Sequence, residues 1–335
     1  MINILFTCAG RRTYLLKYFK EQLGNDGLIV GADMHLTAPA LSVADIRQQV
    51  PSIYDRTYID SILNICRLQN IKALISLNDL ELPILAQNRQ RFDEIGVKVI
   101  VSSPEVIEIC FDKYRTAKYL ESIGISTPAT YINYAEAIKA LEIHSLHFPL
   151  VLKPRWGSGS IDIEFVNNHD ELTDVYAMLL NKIKKSILAT ASIGDEYILI
   201  QQKIEGQEYG MDVMNDLKGN YRAVSVKKKL AMRAGETDKA KTVDNAEIRA
   251  IGRILGESLG HIGNLDVDIF EKDGKYYVLE LNPRFGGGFP FSYEAGANYP
   301  KAIIEWLKGN EIDDIILRPR FGETYAKCDY LVKVN

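Results

Sequence analysis

The sequence has few cysteines, and none of them is paired in a metal-binding or disulfide spacing. The four are Cys8, Cys66, Cys110 and Cys328. A zinc ribbon, a redox Cys-x-x-Cys motif and a disulfide framework all need closely spaced thiols, so none of these is expected. The one close histidine pair, His144 and His147, has no cysteine near it, and a zinc site is not expected there either. Scattered reduced thiols favour a cytoplasmic protein.

The sequence also lacks a long apolar run and a strong excess of charge. Its first residues have no basic start and no small-residue cleavage site, so neither a signal peptide nor a membrane partner is expected. The formal net charge is -4, which gives no general attraction for nucleic acid. The best candidate for a basic patch is 227–229, and three adjacent lysines without aromatic neighbours are typical of a solvated strand edge or loop.

Two glycine-rich nucleotide motifs are missing as well. Apolar strands and amphipathic helices alternate from residue 2 to residue 101, which predicts βαβ units and a parallel sheet. The turn Cys8–Arg12 follows the first strand and could hold an anion, but it is not a G-x-G-x-x-G. Asp33 ends the second strand where a dinucleotide fold has its ribose acid. Without the glycine fingerprint, a nicotinamide-dependent dehydrogenase is disfavoured.

The strongest chemical signal is a β-hairpin near residue 270. One strand carries Asp266 and Asp268, and its partner carries Glu280 and Asn282. Strand periodicity puts the last two on one face, and a short turn lets Asp268 lie across from them. Oxygen ligands from paired strands suit Mg²⁺, which also takes phosphate oxygens and water. The alternative is an ordinary half-exposed strand with outward polar residues.

Two further segments point to phosphate. Arg284 follows the hairpin and precedes three glycines, where backbone can approach a ligand closely. Lys153 ends an apolar strand and is followed by a loop of glycines and serines, whose amides could fold over a triphosphate. The loop lacks the order of a Walker A motif, and a Lys-Pro strand end with such a loop is also a common connector.

The ordered combination of these segments resembles the ATP-grasp superfamily, which includes biotin carboxylase and the carbamoyl-phosphate synthetase large chain. The segments are Lys113, Lys153 with its loop, "IQQKIEGQEYGMDV", "NLDVDIF" and "VLELNPRFGG". The resemblance implies a mixed α/β and α+β fold, in which a parallel α/β (pre-ATP-grasp) domain precedes a two-subdomain ATP-grasp fold. The expected divisions are 1–110, 111–203 with the phosphate loop, and 204–335 with the magnesium site.

The same resemblance implies a role for individual residues. Lys113 and Lys153 would contact phosphates, and the phosphate loop would close over them; the loop residues are Gly157, Ser158, Gly159 and Ser160. Gln201, with backbone groups of Lys203 and Ile204, would read adenine, and Glu208 would hold the ribose. Asp268, Glu280 and Asn282 would bind Mg²⁺, or Mn²⁺ in its place, and Arg284 would steady the transferred phosphate. Read singly, Lys113 and Glu208 are ordinary exposed residues.

Substrate residues are predicted in three places. Asn78, Asp79 and Glu81 follow a parallel strand at its carboxyl end, where they could bind substrate or cap the next helix. A polar segment after the lysine cluster could line the site or be a solvent-facing loop; its candidates are Lys228, Arg233, Glu236, Thr237 and Lys241. Phe289, Tyr293 and Asn298 could shape an acceptor pocket because they follow the hairpin closely.

The implied reaction is ATP-dependent activation of a carboxylate as an acyl phosphate, followed by attack of an amine. ATP and Mg²⁺ are the expected cofactors, and small carboxylates and amines are the expected partners, with a homodimer left open. Two rivals remain: a phosphotransferase that stops at a phosphorylated product, and a nucleotide-binding protein without turnover.

Overall fold

The N-terminal part of the chain folds around a five-stranded parallel sheet. The computed structural model describes residues 1–157, 162–186 and 196–334. The strand order is β3-β2-β1-β4-β5, and all neighbours run parallel. The strands are β1 Asn3–Thr7, β2 Ile29–Asp33, β3 Ile46–Gln49, β4 Ile71–Ser76 and β5 Lys98–Val99. The helices between them are α1 Thr13–Leu23, α2 Tyr58–Leu68, α3 Leu82–Gln87 and α4 Arg89–Asp93.

The order of these strands places a crevice between β1 and β4. The chain builds β2 and β3 on one side of β1, then returns to build β4 and β5 on the other. At such a switch point, the loops that follow the two central strands diverge and leave room for a ligand. The loops concerned are 8–12 and 77–81, and the rest of the functional site faces them.

A small four-stranded antiparallel sheet follows, in the order β6-β9-β7-β8. Its strands are β6 Thr130–Tyr131, β7 Leu150–Pro154, β8 Glu164–Val166 and β9 Ile198–Gln202. The helices α7 Tyr134–Glu142 and α8 His169–Lys184 cover it with a core that includes Leu141, Leu152 and Leu179. Lys153 therefore stands on a strand that is held firmly on both sides.

The third sheet is antiparallel and has six strands in the order β14-β13-β10-β11-β12-β15. Its strands are β10 Gln207–Asn215, β11 Tyr221–Arg233, β12 Glu236–Thr242, β13 Gly263–Lys272, β14 Lys275–Asn282 and β15 Thr324–Ala326. The helix α9 Ala246–Leu259 packs on its central strands. Two earlier helices, α5 Pro104–Phe111 and α6 Lys113–Ser122, pack against β14 and share its core.

The last helices of the chain return to the first sheet. These helices are α10 Phe289–Glu294 and α11 Tyr299–Leu307. Phe289 and Ile303 are fully buried in one cluster with Ile4 and Phe6 of β1 and with the apolar face of α1. The N-terminal sheet is therefore completed by residues almost three hundred positions away.

The predicted fold class is confirmed: a parallel α/β domain precedes two antiparallel α+β units. The domain boundaries at 110/111 and 203/204 stay predictions. Residue 111 was expected to begin the subdomain that carries the phosphate loop, but α6, which follows it, packs on the six-stranded sheet. Within the described ranges, every helix is too short or too polar to cross a membrane.

Candidate active site

The acids predicted to bind metal lie opposite one another in the β13–β14 hairpin. Asp268 pairs with Glu280, and Asp266 pairs with Asn282. Asp273 and Gly274 form the turn, both with positive φ, which is the conformation that joins two strands by two residues. The structure therefore brings Asp268, Glu280 and Asn282 together, and their role as metal ligands stays a prediction.

The charge balance of this hairpin fits a bound cation. Burial and the neighbouring carboxylate of Asp268 raise the pKa of Asp266 to about 7, so negative charge is crowded there. In the described part of the chain, no three His, Cys, Asp or Glu residues form a complete metal cage. Two carboxylates and the amide oxygen of Asn282 would leave coordination positions for phosphate oxygens and water, as Mg²⁺ requires.

Two lysines from other elements approach the same acids. Asp112 caps α6 by accepting from the backbone of Tyr114 and Arg115, so Lys113 is the first helical residue. Its ammonium lies 3.9 Å from Glu280 Oε1 and donates to the Gly157 carbonyl oxygen. Burial lowers the pKa of Lys153 to about 8, against the opposing charge of Glu280. The structure therefore brings Lys113, Lys153 and Glu280 together.

The phosphate loop and the adenine residues are described only in part. Ser158, Gly159 and Ser160 lie outside the described residues. Gln201 is buried, and its amide nitrogen donates to Thr130 Oγ1 at 2.8 Å. The Lys203 N–H donates to the Pro149 carbonyl oxygen, so it is already used within the sheet and is not free to read adenine. Gln201, Ile204 and the Lys203 carbonyl remain the predicted adenine contacts.

Glu208 lies nearer the metal acids than its predicted ribose role suggests. Lys229 Nζ is 2.6 Å from Glu208 Oε1 and 2.5 Å from Asp268 Oδ1. Although burial opposes it, the charge of these two acids raises the pKa of Lys229 well above its usual range. Burial raises the pKa of Glu208 itself. One ammonium thus joins the predicted ribose acid to a predicted metal acid.

Arg284 is paired across the domain boundary. Its Nε and Nη2 donate to the two Asp79 carboxylate oxygens at 2.8 and 2.7 Å, and Nη1 lies 3.7 Å from Asp266. Asp79 was predicted to contact substrate; the structure shows it as the bidentate partner of Arg284. Arg284 still lines the cavity described below, whereas Asp79 is not among the lining residues.

The two neighbours of Asp79 also differ from the substrate prediction. Asn78 Oδ1 accepts from the Leu80 N–H at 3.0 Å in the turn before α3, and α3 itself has no side-chain cap. Glu81 is fully buried and accepts from Thr7, Tyr58 and Ser76 at 2.5 to 2.8 Å. Glu81 is therefore an internal hydrogen-bond acceptor of the N-terminal domain, and the structure does not support the substrate role predicted for it.

The lysine cluster is not the solvated strand edge that was predicted. Lys227 is 1% exposed and lies 2.5 Å from Asp212 Oδ2, which also accepts from Ser292. Lys229 is similarly enclosed by its two acids. The alternation in β11 turns both lysines to the inner face of the sheet, whereas Lys228 faces the other way. Both were missed because their partners lie on β10 and β13, which the local sequence does not reveal.

The polar segment after the cluster is the β11–β12 hairpin, and only its tip reaches the site. Glu236 and Thr237 line the same cavity as Lys229 and Arg284. Arg233 instead pairs with Asp238 and Asp329 on the exposed side. Of these candidates, Glu236 and Thr237 are therefore at the site and Arg233 is not.

The residues expected to shape an acceptor pocket do not. Phe289 is buried in the core, and Tyr293 stacks on Tyr18 with ring centroids 3.6 Å apart. Asn298 caps α11 by accepting from the Lys301 N–H at 3.0 Å. Closeness in sequence to the hairpin was a poor guide, because the chain leaves the site directly after Gly288.

These elements enclose a polar cavity of about 120 Å³. Its charged lining consists of Arg12, Lys227, Lys229, Glu236, Asp266, Asp268, Glu280 and Arg284. Its floor is the glycine run after Arg284. A Cβ on Gly286 would lie 2.1 Å from the Asp266 carboxyl carbon, and one on Gly288 would lie 2.7 Å from Lys227 Cε. The glycine run was expected to let the backbone approach a ligand closely. In the structure, the backbone there lies close to the side chains of Asp266 and Lys227.

Comparisons with known proteins agree with this geometry. Residues 110–288 match the ATP-grasp domain family, and residues 4–100 match the family described as PylC-like, N-terminal domain. The chain is 26% identical over 233 residues to the carbamoyl phosphate synthase large chain of Thermoanaerobacter sp. (strain X514), covering 66% of this chain and 20% of that one. It is 27% identical over 208 residues to the coenzyme gamma-F420-2:alpha-L-glutamate ligase of Methanococcus maripaludis, covering 61% and 68%.

Solved structures share the fold across nearly the whole chain. The biotin carboxylase domain of Hydrogenobacter thermophilus 2-oxoglutarate carboxylase has a TM-score of 0.75 at 18% identity, covering 96% of this chain and 73% of that one. An L-amino acid ligase from Bacillus licheniformis has a TM-score of 0.71 at 19% identity, covering 95% and 79%. The family match covers more than half of the sequence and includes both lysines and all three predicted metal residues. The chain belongs to the ATP-grasp domain family.

Proposed function

We propose that the protein is an ADP-forming carboxylate–amine ligase that works through an acyl phosphate. The observation that carries this proposal is the meeting of Lys113 and Lys153 with the Asp268–Glu280 pair beside a polar cavity. Lys113 of α6 and Lys153 of β7 would hold one side of a magnesium nucleotide, and the acids of the β13–β14 hairpin would hold the other. The cavity beside them would hold the substrates. The two relatives named as ligases support the same reaction class.

In the first step, phosphoryl transfer to the carboxylate, different residues would have different roles. Lys113 and Lys153 would bind the nucleotide phosphates, while Lys227 and Arg284 would orient the acid against the terminal phosphate. Asp268, Glu280 and Asn282 would hold Mg²⁺, which when bound neutralises phosphate charge and fixes the phosphate geometry. Phosphoryl transfer needs little covalent help from the protein, so positioning and charge supply most of the catalysis.

The second step needs protection of the activated acid. The acyl carbon would accept the amine, the carbon–oxygen bond to phosphate would break, and phosphate would leave. The glycine floor and the β11–β12 hairpin enclose the cavity on two sides, which would limit access of water. Closure of the loop from Gly157 to Ser160 remains part of the proposal.

The proposal also includes the cellular compartment and the partners of the enzyme. The buried thiols of Cys66 and Cys110 support a reducing compartment, and we place the enzyme in the cytoplasm. Its partners would be small acids and amines, and a homodimer is compatible with the proposal.

The test is a screen for ADP and phosphate release with pooled carboxylic acids against pooled amines and amino acids. We expect release that needs both an acid and an amine, and at least a hundredfold loss in Lys153→Met and Glu280→Gln. Lys139→Met, on the exposed face of α7, is the matched control and should keep full turnover. A stable phosphorylated product without phosphate release would show a phosphotransferase instead, and near-native turnover of Lys153→Met would refute the assigned site.

A further inference from the structure

The cavity contains a cation that the ATP-dependent step leaves unexplained. Arg12 lies in the loop after β1, at the switch point of the parallel sheet, and its Nη1 donates to the Leu77 carbonyl oxygen at 2.5 Å. That bond fixes the guanidinium between the loops following β1 and β4. The Arg12 side chain lines the same cavity as the metal acids, although it belongs to a different domain.

One buried donor at this end has no partner within the described residues. Arg12 Nε is removed from solvent and makes no hydrogen bond. Leaving a buried donor unsatisfied costs about 1–3 kcal/mol, so such atoms commonly await a ligand or water. The buried Tyr14 hydroxyl interacts with the Arg12 side chain, and the charge of Glu236 also acts on it. This end of the cavity therefore has a donor without an acceptor.

An acid stands beside these donors. Glu236 lies at the tip of the β11–β12 hairpin, packs against Gly287, and binds Lys327 through Oε2 at 3.0 Å. Despite partial burial, the charges of Lys327 and Arg12 lower its pKa, so it is a carboxylate at neutral pH. The end of the cavity at Arg12 thus offers a site for a negative group and a site for a positive one.

The position of this end brings it next to the proposed acid site. Glu236 packs against Gly287, three residues after Arg284, and the charge of Arg284 acts on Glu236. A compact ligand held between Arg12 and Glu236 would therefore lie beside the acid that Arg284 orients, with its amine next to the acyl phosphate.

We propose that the amine substrate is a small amino acid, whose carboxylate binds Arg12 and whose ammonium binds Glu236. This inference rests on the proposed ligase function and names the class of its nucleophile. The amine attacks the acyl phosphate, a C–N bond forms and the C–O bond to phosphate breaks. Of the two ammonium protons lost, one leaves with phosphate and one passes to solvent.

The test is isothermal titration of the protein loaded with Mg²⁺ and a non-hydrolysable ATP analogue, using single L-amino acids as probes. We expect at least one to bind, and Arg12→Gln to weaken that binding at least tenfold while analogue affinity stays unchanged. Arg12→Lys should recover part of the loss, and Glu236→Gln should weaken binding as well. The same amine without its carboxylate should bind the wild type and Arg12→Gln equally.

The matched control is Arg11→Gln, since Arg11 is the exposed neighbour of Arg12. It should bind both ligands as the wild type does. If the analogue binds and no amino acid does, or if Arg12→Gln binds the amino acid with full affinity, the amino-acid site is refuted and the ligase proposal stands. If the wild type fails to bind the magnesium analogue, the proposed function fails and this inference with it.

Discussion

His261 is a buried histidine with a single hydrogen bond. Its Nε2 lies 3.1 Å from the Val213 carbonyl oxygen, and its Nδ1 is buried without a partner. Burial lowers the pKa of His261 to about 4, because the charged ring would lose its hydration without gaining a second acceptor. The ring is therefore neutral in the folded protein and holds its single proton on the nitrogen that donates.

This environment makes folding sensitive to pH. Between pH 6.5 and 4 the unfolded chain binds a proton at His261 that the folded chain does not, so stability is full above pH 6.5 and falls with falling pH. From pH 7.5 to 5.0 the wild type should lose about 2 kcal/mol more unfolding free energy than His261→Gln, which can keep the bond to Val213. Urea unfolding at both pH values measures this, and equal losses in the two proteins would contradict it.

The residues of the site differ in how far the sequence reveals them. Asp268, Glu280 and Asn282 were predictable because one hairpin carries all three and strand alternation fixes their face. Lys227 and Lys229 follow the same alternation, but only their partners on neighbouring strands show that they are buried. Local pattern thus gives the direction of a side chain, whereas its burial depends on distant segments.

The helix α9 can lie close to the sheet because two residues on its inner face have no side chain. It lies on β10 and β11 with two glycines on its inner face, Gly252 and Gly256. A Cβ on Gly256 would lie 2.5 Å from Tyr221 Cδ2 and 2.9 Å from Asn215 Oδ1. The close approach of helix and sheet therefore depends on the absence of these side chains.

Gly256→Ala should consequently destabilise the protein, although alanine is favoured over glycine by about 1 kcal/mol inside a helix. The clash with the sheet should outweigh that gain and leave a net loss of about 1–3 kcal/mol in urea unfolding. Ile254→Ala, on the exposed face of the same helix, is the control and should change stability by less than about 0.5 kcal/mol. A more stable Gly256→Ala protein would show that α9 can move away from the sheet at little cost.

Elements were easier to predict than their neighbours in space. The segment 103–124 has the local signals of two helices, with a serine before Pro104 and a glycine at its end, and Ser103 does cap α5. Their packing on β14 was not expected, because nothing within 104–124 identifies which sheet receives their apolar face. The sequence of α11 likewise does not identify its packing partner, which is the N-terminal domain.

At the scale of the whole molecule, the N-terminal domain depends on the end of the chain. Ile4 and Phe6 share their core with Phe285, Phe289 and Ile303. Residues 1–110 alone would expose this apolar surface to water, and the loss of each large side-chain contact costs about 2–5 kcal/mol.

The isolated fragment 1–110 should therefore lack a cooperative thermal transition, whereas the full chain should retain one in which the N-terminal sheet takes part. Circular dichroism of the fragment and hydrogen exchange of the full chain measure the two expectations. Ile303→Ala in the full chain is the companion variant and should speed exchange in β1, far away in sequence. A fragment with a sharp transition near that of the full chain would contradict the shared core.

The pairing of Arg284 with Asp79 has a consequence for assembly. One guanidinium belongs to the strand of metal acids, and the carboxylate that neutralises it belongs to the opposite end of the polypeptide. The charge of Arg284 is therefore neutralised by Asp79 only after the first and last thirds of the chain have packed together. A chain still growing from its amino end carries Asp79 without its counter-charge, so the capacity to bind a charged substrate arises in one step, together with the tertiary structure.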